Sequence, residues 1–493
     1  MKYKQYFSKK KNHVITLMTC AILLFSMLST TSIMAESSDR TLTFTFEFQE
    51  PNINQMTIKD ELFTSVSMPG CLSMSQSIGS PILPTKFTQI VLPPETEVEN
   101  IVVTGNKVDL DITHFDLQQF PIAPHQIPQP IGKEISEEST LDFDNSVYNS
   151  NKAYPDNIVK DQGVGYSRGF AIYSLALSPI QYNPVMGSLQ YYDELTIQIE
   201  LTNNEYQNEL YRGKTSDRNW VENLVINPSV AMEYENKATM SSSKGYDGGI
   251  CDPADDYDYV IITTEQNSLD YWDTDSSTPY NWDSLMNKHE TDNGLSCTLV
   301  TMEEINAEPD YENSDPLFDD TPAHIREFCK DAYQDWGTEY IFIGGDDEWI
   351  PAREMDTSYE STMDADIYWN HLDNTFNEDG DNDWGEEGDD GFDLYAEMYI
   401  GRITCDEPQD VSNWMTKSFY YADNNFKDYL DNAAFYGGDT GWNCQGDDFI
   451  DYSAIKGTDD FLGPSPHNNG PYPSWLGFQY GFETWNAVNP ADV

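Results

Sequence analysis

The chain of 493 residues is poor in basic side chains, with 26 lysines and arginines against 85 aspartates and glutamates. The formal net charge of -59 repels phosphate backbones and anionic lipid, so we expect no nucleic-acid partner. An excess of this size calls for cations or high salt, although an ordinary solvated surface accounts for most of the charges. Disorder is not expected, because 13% of the residues are aromatic and supply apolar area for a core.

Cysteine is also scarce. The chain has seven cysteines, and six of them follow residue 35. So few cysteines over this length do not make a disulfide scaffold, even in an exported protein. We expect buried thiols with at most one or two bridges, whose pairing the sequence does not reveal. The six are Cys71, Cys251, Cys297, Cys329, Cys405 and Cys444.

Long apolar runs are lacking after residue 35. Residues 1–13 contain five lysines and no acid, and an apolar run follows from Val14 to Leu28. This run is shorter than the about 20 residues of a membrane-spanning helix. With the small residue Ala35 behind it, the pattern predicts a cleaved secretion signal over residues 1–35 and a secreted protein. An uncleaved anchor is the main alternative, and a lipoprotein signal at Cys20 fits less well because Cys20 lies inside the apolar run.

Residues 36–235 are predicted to form an all-β, sandwich-like domain. The segment TLTFTFEF, which starts at Thr41, alternates strictly, and short β-branched or aromatic runs recur as far as Asn203. Residues 130–165 are polar and aperiodic and are interrupted by prolines, and we interpret them as a long excursion or exposed segment. The polar stretch 236–256, with its serines and glycines, is the predicted linker.

The hydrophobic period changes after the linker, and residues 257–493 are predicted to form an α/β domain with a mostly parallel sheet. Apolar strands alternate with helices, as in βαβ units. Ligands of such sheets bind beyond the carboxyl ends of the strands, so the turn at Gly344–Asp347 lies where a site belongs. The predicted strands are Tyr257–Thr263, Cys297–Thr301 and Glu339–Gly344. The predicted helices are Asn281–His289 and one that runs from an N-cap at Thr321 to about Gly337.

Several motifs in this order resemble a known family. Tyr340–Asp346 (YIFIGGD) and Tyr399–Arg402 (YIGR) are the most specific pieces. With their flanking strands and helices, from about Asp256 to Lys427, they resemble the catalytic domain of gingipain-type cysteine peptidases. Upstream, Gly79–Pro84 and Ser178–Pro184 look like the propeptide domain of the same family.

The resemblance implies a caspase-like catalytic domain and a propeptide that restrains the enzyme until it is processed. It also implies a secreted endopeptidase precursor that acts on protein or peptide substrates by acyl transfer through a thioester. The family's catalytic histidine lies in a His-Gly motif and its cysteine follows the next strand. None of the seven histidines here precedes glycine. We therefore expect the dyad beyond Val493 and interpret the chain as a fragment; a Cys444–His467 pair is the weaker alternative, because Cys444 lies too early.

An acidic segment, NEDGDNDWGEEGDDGFD over residues 377–393, has the spacing of a calcium loop. Alternating carboxylates followed by an acid at the twelfth position can direct oxygens at one ion. The pattern departs from the standard one because Trp384 occupies the usual glycine position, and Glu386 or Glu387 could close the loop instead. A solvated acidic loop is the alternative, and family members bind calcium. The predicted ligands are Asp379, Asp381, Asp383 and Asp390.

The roles of four further acids stay open. Asp346 either binds a second ion or caps its turn together with Asp347. Asp447 or Asp448 is a candidate substrate-binding residue, since arginine-specific family members select a basic side chain with an acid. Two other functions stay open: a non-catalytic, calcium-dependent surface or adhesion protein, and a carbohydrate-binding protein or glycosidase. Surface attachment through a further C-terminal region is also possible.

Overall fold

The computed structural model describes residues 41–58, 61–74, 77–126, 141–204, 206, 208–236, 249–356, 362–386, 389–391 and 395–423. Within these ranges the chain forms a mostly β region, residues 41–236, and an α/β region, residues 249–423. We call them the β region and the α/β region.

The β region contains ten strands and two helices within the described residues. The strands are β1 (Thr41–Glu47), β2 (Asn52–Ile58), β3 (Glu61–Ser67), β4 (Leu72–Met74), β5 (Leu83–Val91), β6 (Thr96–Asp109), β7 (Val159–Ser167), β8 (Phe170–Leu177), β9 (Ile180–Asn183) and β10 (Ser188–Asn203). The helices are α1 (Asn145–Tyr148) and α2 (Thr215–Leu224), and a 3-10 segment covers Pro228–Asn236.

Two antiparallel sheets share one core in this region. One sheet has the order β1-β10-β6, with β9 also paired to β10, and the other has the order β4-β5-β8-β7. Alternation in β1 turns Leu42, Phe44 and Phe46 inward, where Phe44 is fully buried. They pack in a single cluster with Ile90 and Leu175 of the second sheet. The prediction of an all-β, sandwich-like domain is confirmed in its coarser part, since the region is mostly β but also contains α1 and α2.

The α/β region is built on one parallel sheet. Its order is β12-β11-β13-β16, with every neighbouring pair parallel. The strands are β11 (Tyr259–Thr263), β12 (Cys297–Thr301), β13 (Tyr340–Gly344) and β16 (Tyr399–Ile403), and a separate antiparallel pair is formed by β14 (Arg353–Asp356) and β15 (Thr362–Ala365). The helices are α3 (Trp282–Asn293), α4 (Met302–Ala307), α5 (Thr321–Asp331) and α6 (Pro408–Asp423). The predicted parallel sheet is confirmed.

Helices cover both faces of this sheet. On one face, Ile325 and Phe328 of α5 pack with Ile262 and Ile343 of the strands. On the other, Trp282 of α3 and Met415 of α6 pack against the opposite side of β11. All residues of β11 are buried, which explains its unbroken apolar sequence.

Two predicted boundaries are wrong. The N-cap of α5 is Asp320 and not Thr321, because an Asp320 carboxylate oxygen accepts a hydrogen bond from the Ala323 N–H at 3.0 Å. The predicted excursion over residues 130–165 ends too late, since β7 begins at Val159 and pairs with β8. Most of β7 is exposed, so its sequence carries no apolar alternation that would have revealed a strand.

No helix in the described part of the chain combines the length and the apolar character needed to cross a bilayer.

A buried ionic cluster joins the two regions. Asp217 on α2 is fully buried and accepts hydrogen bonds from Arg168 at 3.1 Å and from Arg212 at 2.7 and 3.0 Å. Arg212 also donates to the backbone oxygens of Tyr333 and Thr338 in the α/β region, at 3.0 and 3.2 Å. The cluster therefore couples the fold of one region to the docking of the other.

We expect Asp217→Asn to lower the free energy of unfolding by about 3 kcal/mol, because it leaves two buried guanidinium groups without a counter-charge. Urea denaturation followed by tryptophan fluorescence measures the change. The control is Glu222→Gln, which removes a surface partner of Arg218 and should cost less than about 1 kcal/mol. Equal effects of the two substitutions would contradict a special role for Asp217.

A second buried acid, Asp331, should make the stability of the fold depend on pH. Burial raises the pKa of Asp331 to about 6, while Tyr311 O–H donates to its carboxylate at 2.6 Å. Because the folded pKa exceeds the unfolded value of about 3.9, this group favours folding at low pH and loses that contribution as the pH rises from about 4 to about 6. Relative to the native chain, Asp331→Asn should therefore gain about 2 kcal/mol of stability between pH 4 and pH 7.

Urea midpoints measured across this pH range test the expectation for Asp331. The exposed control Asp156→Asn should keep the pH dependence of the native chain. A constant difference between Asp331→Asn and the native chain over the whole range would show that Asp331 does not titrate there.

Candidate functional site

The carboxyl ends of the parallel strands bring two acids together. Asp346 follows β13, and Asp406 follows the neighbouring strand β16. Burial raises the pKa of Asp346, and the hydrogen bond to and charge of Asp406 raise it further. This pair lies at the edge where ligands of open α/β sheets bind.

The turn after β13 is held by its own acids. Asp346 accepts from the Glu348 N–H at 3.1 Å, and Asp347 accepts from the Ala352 N–H at 2.8 Å. The Trp349 indole N–H donates to Asp406 at 3.1 Å. Asp346 and Asp347 thus both accept hydrogen bonds within the turn, and the binding of a second ion by Asp346 stays a prediction.

Arg402 of the YIGR motif fixes the loops around this edge. Its guanidinium makes a bidentate pair with Asp366 at 2.8 and 2.9 Å. It also donates to the backbone oxygens of Gly345 and Ile350, at 2.9 and 3.0 Å. With its donors occupied in this way, Arg402 acts as a structural residue that ties β16 to the turn after β13.

Three carboxylates of the acidic segment lie together. One oxygen each of Asp379, Asp381 and Glu386 falls within 4.8 Å of the others. Partial burial raises the pKa of Glu386, and the charges of the neighbouring aspartates raise it further. Asp379 and Asp381 are predicted ligands, and Glu386 is the alternative closing residue. Oxygen-only clusters of this kind suit a hard cation such as calcium.

The other two acids predicted for this loop are not in that cluster. Asp390 accepts from the backbone N–H groups of Glu378, Gly385 and Glu386, at 2.7, 2.8 and 3.1 Å. It therefore closes the loop through the backbone. The N–H of Asp383 donates to Asp381 at 2.7 Å, and Asp383 is not one of the three clustered carboxylates. Asp346 also lies outside that group.

Trp384, the residue that breaks the usual loop pattern, anchors the segment in the core. Its side chain is 6% exposed and packs against Phe318 and Tyr368. The Arg353 guanidinium lies 3.9 Å from the centre of its ring. The next residue, Gly385, has a φ of +75°, so the tight turn comes one position later than in the standard loop.

Sequence reasoning missed a buried acid at the junction of the two regions. Glu397 is fully buried and accepts from the N–H of Leu372 at 2.8 Å and from the N–H of Arg168 at 3.1 Å. Arg168 belongs to the β7–β8 turn, and its guanidinium lies 5.1 Å from the ring centre of Trp220. The local sequence carried no signal for it, because Glu397 lies two residues before β16, a strand in which only Ile403 is buried.

The described cysteines are poor candidates for a nucleophile. Burial raises the pKa of Cys71 and of Cys297 to about 11 and that of Cys405 to about 12. It also raises the pKa of Cys251 and of Cys329. Since the thiolate is the reactive form, all five are held in the unreactive state at neutral pH.

The remaining predicted site residues lie outside the described residues. They are Cys444, Asp447, Asp448 and His467, together with Glu387 as an alternative calcium ligand.

Comparison with known proteins shows what the chain is similar to. The sequence model of Peptidase family C25 matches residues 252–486, and that of its propeptide, Propeptide_C25, matches residues 31–226. Gingipain R2 from two strains of Porphyromonas gingivalis is 22% identical over 356 residues, which are 70% of this chain and 38% of the relative. The chain thus spans 38% of the length of these curated relatives.

Two solved structures also match. One is described as "Structural insight into zymogenic latency of gingipain K from Porphyromonas gingivalis", with 22% identity, coverage of 35% of this chain and 94% of the other, and a TM-score of 0.29. The other is the "Complex of Porphyromonas gingivalis RgpB pro- and mature domains", with 16% identity, coverage of 39% and 95%, and a TM-score of 0.31.

The family assignment depends on the two sequence models, which follow each other along the chain in the order of propeptide and peptidase. The residues matched by the peptidase model include the whole parallel sheet and the YIFIGGD and YIGR motifs. The chain belongs to the gingipain-type cysteine peptidase family.

Proposed function

We propose that the chain is the N-terminal part of a secreted cysteine-type endopeptidase precursor. The β region is the propeptide, and the α/β region is part of a caspase-like catalytic domain. The single observation that carries the proposal is the match of both family sequence models in this order. The substrates are proteins or peptides, and hydrolysis proceeds by acyl transfer from the substrate to a cysteine thiolate and then from the thioester to water. Residues 1–35 are the secretion signal.

The catalytic dyad lies outside the described residues. The raised pKa values of the five described cysteines argue against each of them as nucleophile. Cys444 with His467, or a cysteine and histidine beyond Val493, are the candidates. Asp447 or Asp448 would bind a basic substrate side chain. The alternative of a non-catalytic surface protein is not favoured, because the peptidase family model covers residues 252–486.

The natural gene product should hydrolyse fluorescein-labelled casein in the presence of a reducing agent and lose this activity with iodoacetamide. Limiting biotin-iodoacetamide at pH 7, followed by mass spectrometry, should label one cysteine first. We expect that cysteine to lie at or beyond Cys444, because the thiols before it are held protonated by burial. Unfolded protein provides the control, in which all cysteines should react alike.

First labelling of Cys251, Cys297 or another described cysteine would contradict the placement of the dyad. Absence of thiol-dependent hydrolysis in the natural product would contradict the peptidase function itself.

We also propose that the acidic loop binds one calcium ion with a structural role, through Asp379, Asp381 and Glu386. The proposal is supported by the three oxygens that lie within 4.8 Å of one another. Backbone oxygens of the loop and water would complete the six to eight ligands that calcium takes. Asp390 acts indirectly, since its hydrogen bonds to Gly385 and Glu386 fix the loop.

Addition of EGTA should lower the melting temperature by about 5 °C if calcium was present at about 100 times its dissociation constant. Asp381→Asn should abolish this shift, whereas the exposed control Asp273→Asn should retain it. Differential scanning fluorimetry measures both. A chelator shift that persists in Asp381→Asn would mean that any calcium is bound elsewhere.

A further inference from the structure

A cavity in the β region lies apart from the sheet edge and the acidic loop. It opens to solvent, and the space between its walls is about 590 Å³ when the open solvent at its mouth is included. It is bordered by the turn after β5, by the β7–β8 hairpin and by the chain that follows β10. Its walls include four tyrosines: Tyr166, Tyr206, Tyr211 and Tyr234.

The aromatic walls are held in place by the protein itself. The Tyr234 O–H donates to the backbone oxygen of Leu92 at 3.0 Å and accepts from the Ala171 N–H at 3.3 Å. The backbone of Tyr211 packs directly on Gly169, which has a φ of +79° and no side chain to displace it. These two rings lie 5.6 Å apart, centre to centre. The site is therefore largely formed before any ligand arrives.

The outer wall is more exposed. Tyr206 is 55% exposed, and its ring lies 5.6 Å from that of Tyr166 at an angle of 64°. A partly exposed aromatic pair of this kind presents ring faces and edges to a ligand that enters from solvent. Tyr206 can therefore be substituted without removing a core residue.

The polar groups around the cavity give it a negative character. Glu95 lines it, and no lysine or arginine is among its lining residues in the described part of the chain. Burial raises the pKa of Tyr206, and the nearby charges of Asp373 and Glu209 raise it further. Such surroundings disfavour an anion and favour a cation.

The amides at the rim are already bonded within the protein. The Asn208 side chain donates to Asp373 and accepts from the Leu210 N–H. The Asn204 side chain donates to Glu97 and accepts from the Tyr206 N–H. These bonds fix the orientation of both amides at the rim of the cavity.

Contacts between a cation and the face of a tyrosine ring already occur inside this molecule. The Arg212 guanidinium lies 3.6 Å from the ring centre of Tyr333, and that of Arg326 lies 4.5 Å from that of Tyr368. Tyrosine faces attract cations, and clusters of them recognise ammonium groups.

We propose that this tyrosine-lined cavity binds an organic ammonium group. The ammonium group belongs either to a free quaternary ammonium ion or to the side chain of a lysine in a peptide. The site is independent of the proposed peptidase function.

Choline chloride and N-acetyl-lysine N-methylamide serve as probes, with the full chain held at constant ionic strength. Saturation-transfer difference NMR gives the affinity of each. The matched control is 3,3-dimethyl-1-butanol, which has the shape of choline without its charge. We expect choline to bind at least about fivefold more tightly than this neutral analogue, as cation–π attraction predicts. Comparison of choline with the lysine derivative distinguishes the two sources.

Three variants identify the cavity as the site. Tyr206→Leu should weaken binding of the preferred probe about fivefold, while Tyr206→Phe, which keeps the ring, should stay within about twofold. Tyr271→Leu removes a 63% exposed tyrosine outside the cavity and should change nothing. Equal binding of choline and its neutral analogue, no saturable binding of either ammonium probe, or insensitivity to Tyr206→Leu would each overturn the proposal.

Discussion

The packing of the β region against the α/β region depends on the ion pairs of the Asp217 carboxylate with Arg168 and Arg212. It is fully buried between Arg168 and Arg212, and the latter reaches on to backbone oxygens of the α/β region. Buried charges are tolerated only when each is paired and hydrogen-bonded. The cluster is therefore complete only when α2, the β7–β8 turn and the segment that follows α5 are all in position. Lys214 adds a hydrogen bond to the Gly337 oxygen at 2.7 Å.

A chain with 26 basic residues uses several of them in its interior. Arg326 donates to the backbone oxygens of His371, Asp373 and Asn374, at 2.9, 3.0 and 2.8 Å. Arg402 likewise donates to backbone oxygens of the turn after β13. These arginines satisfy loop carbonyls that secondary structure leaves unpaired. Among the described acids, Asp217, Asp331, Asp390 and Glu397 are buried, and the others are at least partly exposed to water.

The separation of buried arginines from exposed acids also explains how the acidic loop packs against the core. Trp384 and Arg353 fix the inner side of the loop, and Asp390 ties its backbone together. Asp379 and Asp381 remain exposed on its outer side, near Glu386. The rigid inner half gives the outer oxygens a defined arrangement, so that a cation would meet a largely formed site.

The amino-acid sequence was enough to predict the β region, the parallel sheet and the family, because strict alternation in β1, the unbroken apolar run of β11 and ordered strand-end motifs are local signals. It also selected Asp379 and Asp381 through their spacing. The packing of Trp384 in the core, which spacing does not reveal, sets Asp390 against the loop backbone and brings Glu386 to Asp379 and Asp381. The buried partners of Asp217 and Glu397 likewise come from distant segments, and no local pattern records which separated charges meet when two regions pack together.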